Sequence, residues 1–153
     1  LAVGTCLGWG LLRALTDVPV RQVNDPNLKS GDPFIVRDDD DGERTLLPTW
    51  SVDNPRLLVE DIGLLARVPN PFNSNRTLTL CNGIHSRGVL GAVRALTDLR
   101  LRDANESYLA ERFPEGRFAV AMRVPVVKGQ SLSPDLSNPY FRVYEWPPRT
   151  EGS

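Results

Sequence analysis

The sequence predicts an α/β domain, a Rossmann-like mixed sheet with two strand–glycine turn–helix crossovers and added antiparallel hairpins. Three observations carry that expectation. Residues 77–98, TLTLCNGIHSRGVLGAVRALTD, read as a buried strand, a glycine-bearing turn and a helix. Residues 1–17 repeat the plan, with Gly4, Gly8 and Gly10 in the turn. The pentapeptide at 13–17, RALTD, recurs unchanged at 94–98, as two crossover helices on one sheet would allow.

Taken in order, residues 1–3 end a first strand, 4–10 turn, and 11–17 have helical propensity. Residues 18–23 form a strand, and 24–33 are rich in Asn, Asp, Pro, Ser and Gly, hence loop. Residues 34–37 and 45–50 pair as a hairpin across the acidic turn 38–42. Four consecutive Asp at its tip match a solvated turn better than a calcium loop, which needs oxygens at alternating positions and a distant Glu. Two apolar runs, 57–59 and 62–68, flank Glu60-Asp61, where one acid facing a pocket competes with a capping or hairpin role. Residues 69–75 are a dense turn with two prolines and three asparagines. Beyond the central unit, 103–113 forms a helix, 118–127 a long strand interrupted by Pro125, 129–139 a loop, and 141–146 an alternating antiparallel strand. Residues 1–146 make one domain and 147–153 a tail.

Composition narrows the function classes. A hydrophobic share of 41% and a charged share of 24% are those of a globular chain. A net charge of −1 gives no basic field for a nucleic-acid polymer. Lys29 and Lys128 are the only lysines, so positive charge is carried by arginine, the side chain suited to bidentate carboxylate or phosphate pairing. Cys6 and Cys81 do not form a disulfide framework and read as buried free thiols in a reducing, cytoplasmic setting. No apolar run reaches membrane-spanning length, and no signal peptide is visible. One histidine and scattered acids make no recognisable metal set, and neither the dinucleotide fingerprint nor the phosphate loop is present, so no metal or cofactor is expected.

Glu60-Asp61-Ile62-Gly63-Leu64-Leu65, Asn70-Pro71-Phe72-Asn73, the turn from Asn82 to Gly88 and the late Arg123-Val124-Pro125-Val126 together form a pattern. It resembles an uncharacterised family of small Rossmann-like domains found in bacterial multidomain proteins. The resemblance covers most of residues 1–146. Here Ile62 stands where the family has Tyr, and the first turn lacks the family's Gly-Gly-Pro-like form. The resemblance implies a module of a larger protein and assigns no agreed chemistry.

The candidate site follows from the two turns. Backbone N–H groups at a helix start, with Ser86, Arg87 and His85 beside them, are how α/β proteins build an anion site. Two crossover helices leaving a sheet in opposite directions open a crevice at the strand ends. The expected ligand-binding set is therefore Gly4, Thr5, Gly8, Gly83, His85, Ser86, Arg87 and Gly88. Arg87 is the anion clamp, and Asp61, Asn70 and Asn73 read a sugar or base edge. The competing reading is that these glycines serve only close packing of helix on sheet. The first function expected is a non-catalytic nucleotide or small-anion sensing module of a larger bacterial signalling or defence protein. Its partners would be an anionic small molecule, other domains of the same protein or a partner protein. A hydrolase of nucleosides or nucleotides, with Asp61 or Glu60 as acid and His85 as its partner, is the second. A ligand-free interaction domain is the third.

Overall fold

A long hairpin is the spine of the molecule. The computed structural model describes residues 2–3, 17–24, 31–38 and 42–148. Seven strands come first: β1 (Ala2–Val3), β2 (Val20–Gln22), β3 (Phe34–Asp38), β4 (Gly42–Leu46), β5 (Thr49–Trp50), β6 (Leu58–Asn70) and β7 (Asn73–Gly83). Two helices follow, α1 (Ser86–Thr97) and α2 (Arg102–Arg112). Then come β8 (Phe118–Val127), β9 (Gln130–Ser131), a single 3-10 turn (Pro139–Phe141) and β10 (Arg142–Trp146).

The main sheet has the order β1-β7-β6-β8-β10, with β5 beside the start of β6 and β9 on the end of β8. β1 runs parallel to β7, Val3 lying opposite Cys81, whereas β6–β7, β6–β8 and β8–β10 are antiparallel. β2, β3 and β4 form a separate antiparallel sheet.

This overturns the Rossmann-like expectation, because the sheets are mostly antiparallel. A parallel pair needs a strand of the same direction as its neighbour in the sheet. The tight turn at Pro71-Phe72 closes β6 onto one edge of β7, and β1 takes the other, so neither edge of β7 is left for β8. β8 therefore lands on the far side of β6 and pairs with it in the opposite direction, Leu64 facing Ala121. Among the described residues, β1 with β7 is the one parallel pair. The other expected crossover, turn 4–10 and helix 11–17, lies outside the described residues except for Asp17, which is in a turn.

Both faces of the main sheet are covered, which is why β6 is buried from Asp61 to Ala66. With a side-chain period of two, Ile62, Leu64, Ala66 and Val68 join Val20, Phe34, Val36 and Leu46 in a core against the small sheet. Leu65, Cys81, Val120, Met122 and Val124 point the other way and pack with Leu109 and Phe113 beneath the helices. α1 buries Gly88, Gly91, Ala92 and Ala95, a stripe at helical spacing made of the smallest side chains, so the helix approaches the sheet closely.

Two expected elements are rearranged. The run 45–50 is not one strand: β4 ends at Leu46, and Thr49–Trp50 crosses to pair with β6 after Pro48. The runs 57–59 and 62–68 are one strand, β6, so Glu60 and Asp61 lie within the ladder instead of in a break. Cys81 is a free, buried thiol, and Cys6 lies outside the described residues.

Candidate functional site

β7 ends at Gly83, and α1 begins at Ser86 with His85 as its N-cap residue. No side chain from the turn itself caps the helix. The orphan N–H groups of the first turn need an acceptor, and they find it in Asp61, which reaches across from β6. Its Oδ2 accepts from the backbone N–H of Gly88 at 2.5 Å and of His85 at 3.2 Å, and its Oδ1 accepts from Ile62 N–H at 2.9 Å. Asp61 lies on the helix side of β6 because it alternates with Ile62, which faces the small sheet. Its side chain is fully buried. Burial raises its pKa above the ordinary value of 3.8, opposed by the N–H groups of Gly88 and Ile62, the imidazole of His85 and the His85 N–H.

The expectation that this helix start is open to a ligand is therefore corrected: the chain's own carboxylate fills it. The glycines of the turn are explained by packing. A Cβ on Gly88 would lie 2.2 Å from the carbonyl oxygen of Ile62, and one on Gly83 would lie 2.3 Å from the nitrogen of Val89. Gly63 faces the same contact from the sheet side, 2.7 Å from the Gly88 carbonyl oxygen.

The remaining candidates divide. His85 stands at the helix start with Trp50 edge-on at 5.6 Å. Ser86 is exposed and Arg87 half-buried, with the Arg87 carbonyl accepting from the Ser131 hydroxyl at 3.2 Å. Asn70 and Asn73 are not at this site. They face each other at the hairpin tip, the opposite end of the 11-residue strand β7 from Gly83, and their side chains accept from Phe72 N–H and Asn75 N–H to shape the turn. Glu60 accepts from Arg123 at 2.9 Å and from the Tyr140 hydroxyl at 3.0 Å. Gly4, Thr5 and Gly8 lie outside the described residues; β1, which precedes them, ends beside the same end of β7 as Gly83.

Two polar clusters escaped sequence reasoning. Beside the turn, Asn82 donates to Gln22 at 3.1 Å, and Gln22 donates to the carbonyl of Asp32 at 3.0 Å. An Asn closing an otherwise apolar strand was the available signal. At the far edge of the sheet, Glu145 lies between Arg112 and Arg142 and accepts from the Tyr108 hydroxyl. Arg142 and Glu145, three apart in a strand, would ordinarily face opposite ways. A register shift between Arg142 and Tyr144 brings both to the helix side.

Among the described residues no group of three or more His, Cys, Asp or Glu is placed to hold a metal ion, and no helix is long and apolar enough to cross a membrane. No family model, curated protein or solved structure matches the chain.

Proposed function

We propose that this chain is a non-catalytic binding module for a small anion of the nucleotide class, working in the cytoplasm as part of a larger bacterial protein. One observation carries the non-catalytic part: both candidate acids are committed. Asp61 is buried and bonded to the start of α1, and Glu60 is held by Arg123 and Tyr140. A general acid has to reach the leaving group of its substrate, and neither carboxylate is free to do so. The anion preference is supported by the chain's positive charge, which is almost wholly arginine. The likeness of its Asn-Pro-Phe-Asn and Gly-Ile-His turns to domains of bacterial multidomain proteins supports the larger setting.

The test is product analysis after prolonged incubation with nucleosides and nucleotides. The expected result is unchanged substrate. Turnover that disappears in Asp61→Asn would establish the hydrolase reading instead. A ligand-free interaction domain is the second reading, favoured by the filled start of α1. A thermal-shift series with nucleotides distinguishes the two: the anion-binding reading requires a rise in melting temperature, and the interaction domain requires none.

A further inference from the structure

The polar cluster at the far edge of the sheet opens onto a cleft of about 300 Å³. Arg44, Arg112, Arg142, Tyr144, Glu145 and Pro148 are among the residues that line it. These come from all three layers: Arg44 from β4 of the small sheet, Arg112 from the end of α2, and the others from β10 and the segment after it. We propose that this cleft binds a small phosphate-bearing dianion, through the guanidinium groups that line it. The proposal rests on the reading of the chain as an anion-binding module and gives that module a site away from the start of α1.

The charge arrangement is the first support. The guanidinium groups of Arg112 and Arg142 share the single carboxylate of Glu145 in the cleft, and Arg44 lines it as well. Glu145 is shared: its Oε1 is 3.9 Å from Arg112 Nε and its Oε2 is 3.5 Å from Arg142 Nε. Neither contact is a hydrogen bond, and both Nε groups are buried without a hydrogen-bond partner. A carboxylate that neutralised one arginine well would grip it as a bidentate fork. Glu145 instead sits between two cations, and its Oε1 also accepts from the Tyr108 hydroxyl. One negative charge thus serves two positive ones.

Preorganisation is the second support. Arg142 stacks on Tyr108 at 4.5 Å and donates to the Leu136 carbonyl, and Arg112 lies over Phe113 at 4.5 Å and donates to the Pro147 carbonyl at 2.7 Å. Arg44 donates to the Val143 carbonyl at 3.0 Å. Side chains held in this way lose little conformational freedom when an anion arrives. Phosphate matches the site in two respects. An anion answers the positive charge that Glu145 leaves on Arg112 and Arg142, and several phosphate oxygens can accept from more than one guanidinium at once. A cleft of this volume, at the lower end of the ligand-pocket range, suits a phosphate or a small phosphate monoester.

The experiment is calorimetric titration of the 153-residue chain with inorganic phosphate, AMP and adenosine at low ionic strength. Phosphate and AMP are expected to bind and adenosine not to. AMP binding more tightly than phosphate identifies a monoester site, and equal binding identifies a site for the phosphate group alone; both support the proposal. Arg112→Gln is expected to weaken binding about tenfold, the loss of a charge-assisted hydrogen bond. Glu145→Gln keeps an acceptor for Tyr108 and removes the competing charge, so it is expected to tighten binding several-fold, a gain that a merely damaged fold cannot produce. Arg87→Gln, at the start of α1, is expected to bind like the wild type. Absence of phosphate and AMP binding would overturn the proposal, as would unchanged affinity in both cleft variants or loss of binding in Arg87→Gln. Because no turnover is measured, these outcomes are separate from the test of the non-catalytic reading.

Discussion

The carboxylate of Asp61 stands 2.5 Å from the amide nitrogen of Gly88, 27 positions along the chain, and so a residue in a strand caps a helix in another layer. Removing it leaves the N–H groups of Gly88 and His85 buried or half-buried without their acceptor. Asp61→Ala is expected to cost about 2–4 kcal/mol, combining a lost cap with stranded donors. Asp61→Asn keeps one acceptor oxygen and is expected to cost about half as much. Urea denaturation measures both. A midpoint for Asp61→Ala equal to that of the wild type would show that this carboxylate does not hold the helix.

The same group gives a pH dependence of definite sign. Burial raises the Asp61 pKa above the ordinary 3.8. Its contribution to stability is complete below the unfolded-state value and is lost as pH rises through the native value, where the carboxyl must ionise inside the protein. The stability of the wild type relative to Asp61→Asn is therefore expected to fall as pH is raised from 3.5 toward neutrality, followed by denaturation at a series of pH values. A rise over that interval would reverse the assignment.

Adjacent residues in the turn are expected to respond very differently. Gly88→Ala drives a methyl group against the Ile62 carbonyl oxygen, with 2.2 Å available, so either the helix moves off β6 or the strand bends. Overpacking against backbone is expected to cost about 1–3 kcal/mol or more. Arg87→Ala, one position earlier and half-buried, is expected to leave the melting temperature nearly unchanged. Calorimetric melting of the two variants side by side decides this; equal losses would contradict the packing account.

Cys81 is expected to be chemically silent in the native protein. Its thiol is buried, and burial pushes its pKa up to about 11. Little thiolate forms at pH 8, and a reagent has no path to it. In a Cys6→Ser background, a thiol-specific chromogenic reagent should register the remaining cysteine only after denaturant is added. Rapid labelling without denaturant would mean that β7 opens readily at its end.

Local pattern was enough to find most strands and both described helices. The strand at 142–146, the apolar run before Asn82 and the small-residue stripe of α1 each follow from side chains within a few positions, although the register shift after Arg142 breaks the alternation expected over 141–146. Pairing order was not legible, because nothing near Val120 states that it will sit opposite Leu65. The helix start was located in the sequence, but its acceptor was not. Asp61 and Gly88 come together only because β6 and β7 are neighbours and α1 folds back over both. The cleft was missed for a similar reason: Arg44, Arg112 and Glu145 belong to three separate elements.

The place of β8 between β6 and β10 also bears on the order of assembly. β6 and β7 can zip together as soon as Gly83 is available, since only a two-residue turn separates them. The other edge of β6 must wait for residues 118–125, so Asp61 meets Val124 only after a loop of some sixty residues has closed. During synthesis on a ribosome, the apolar edge of β6 is thus bare for the time taken to make both helices. During that interval the unpaired edge of β6 is open to pairing with the wrong strand.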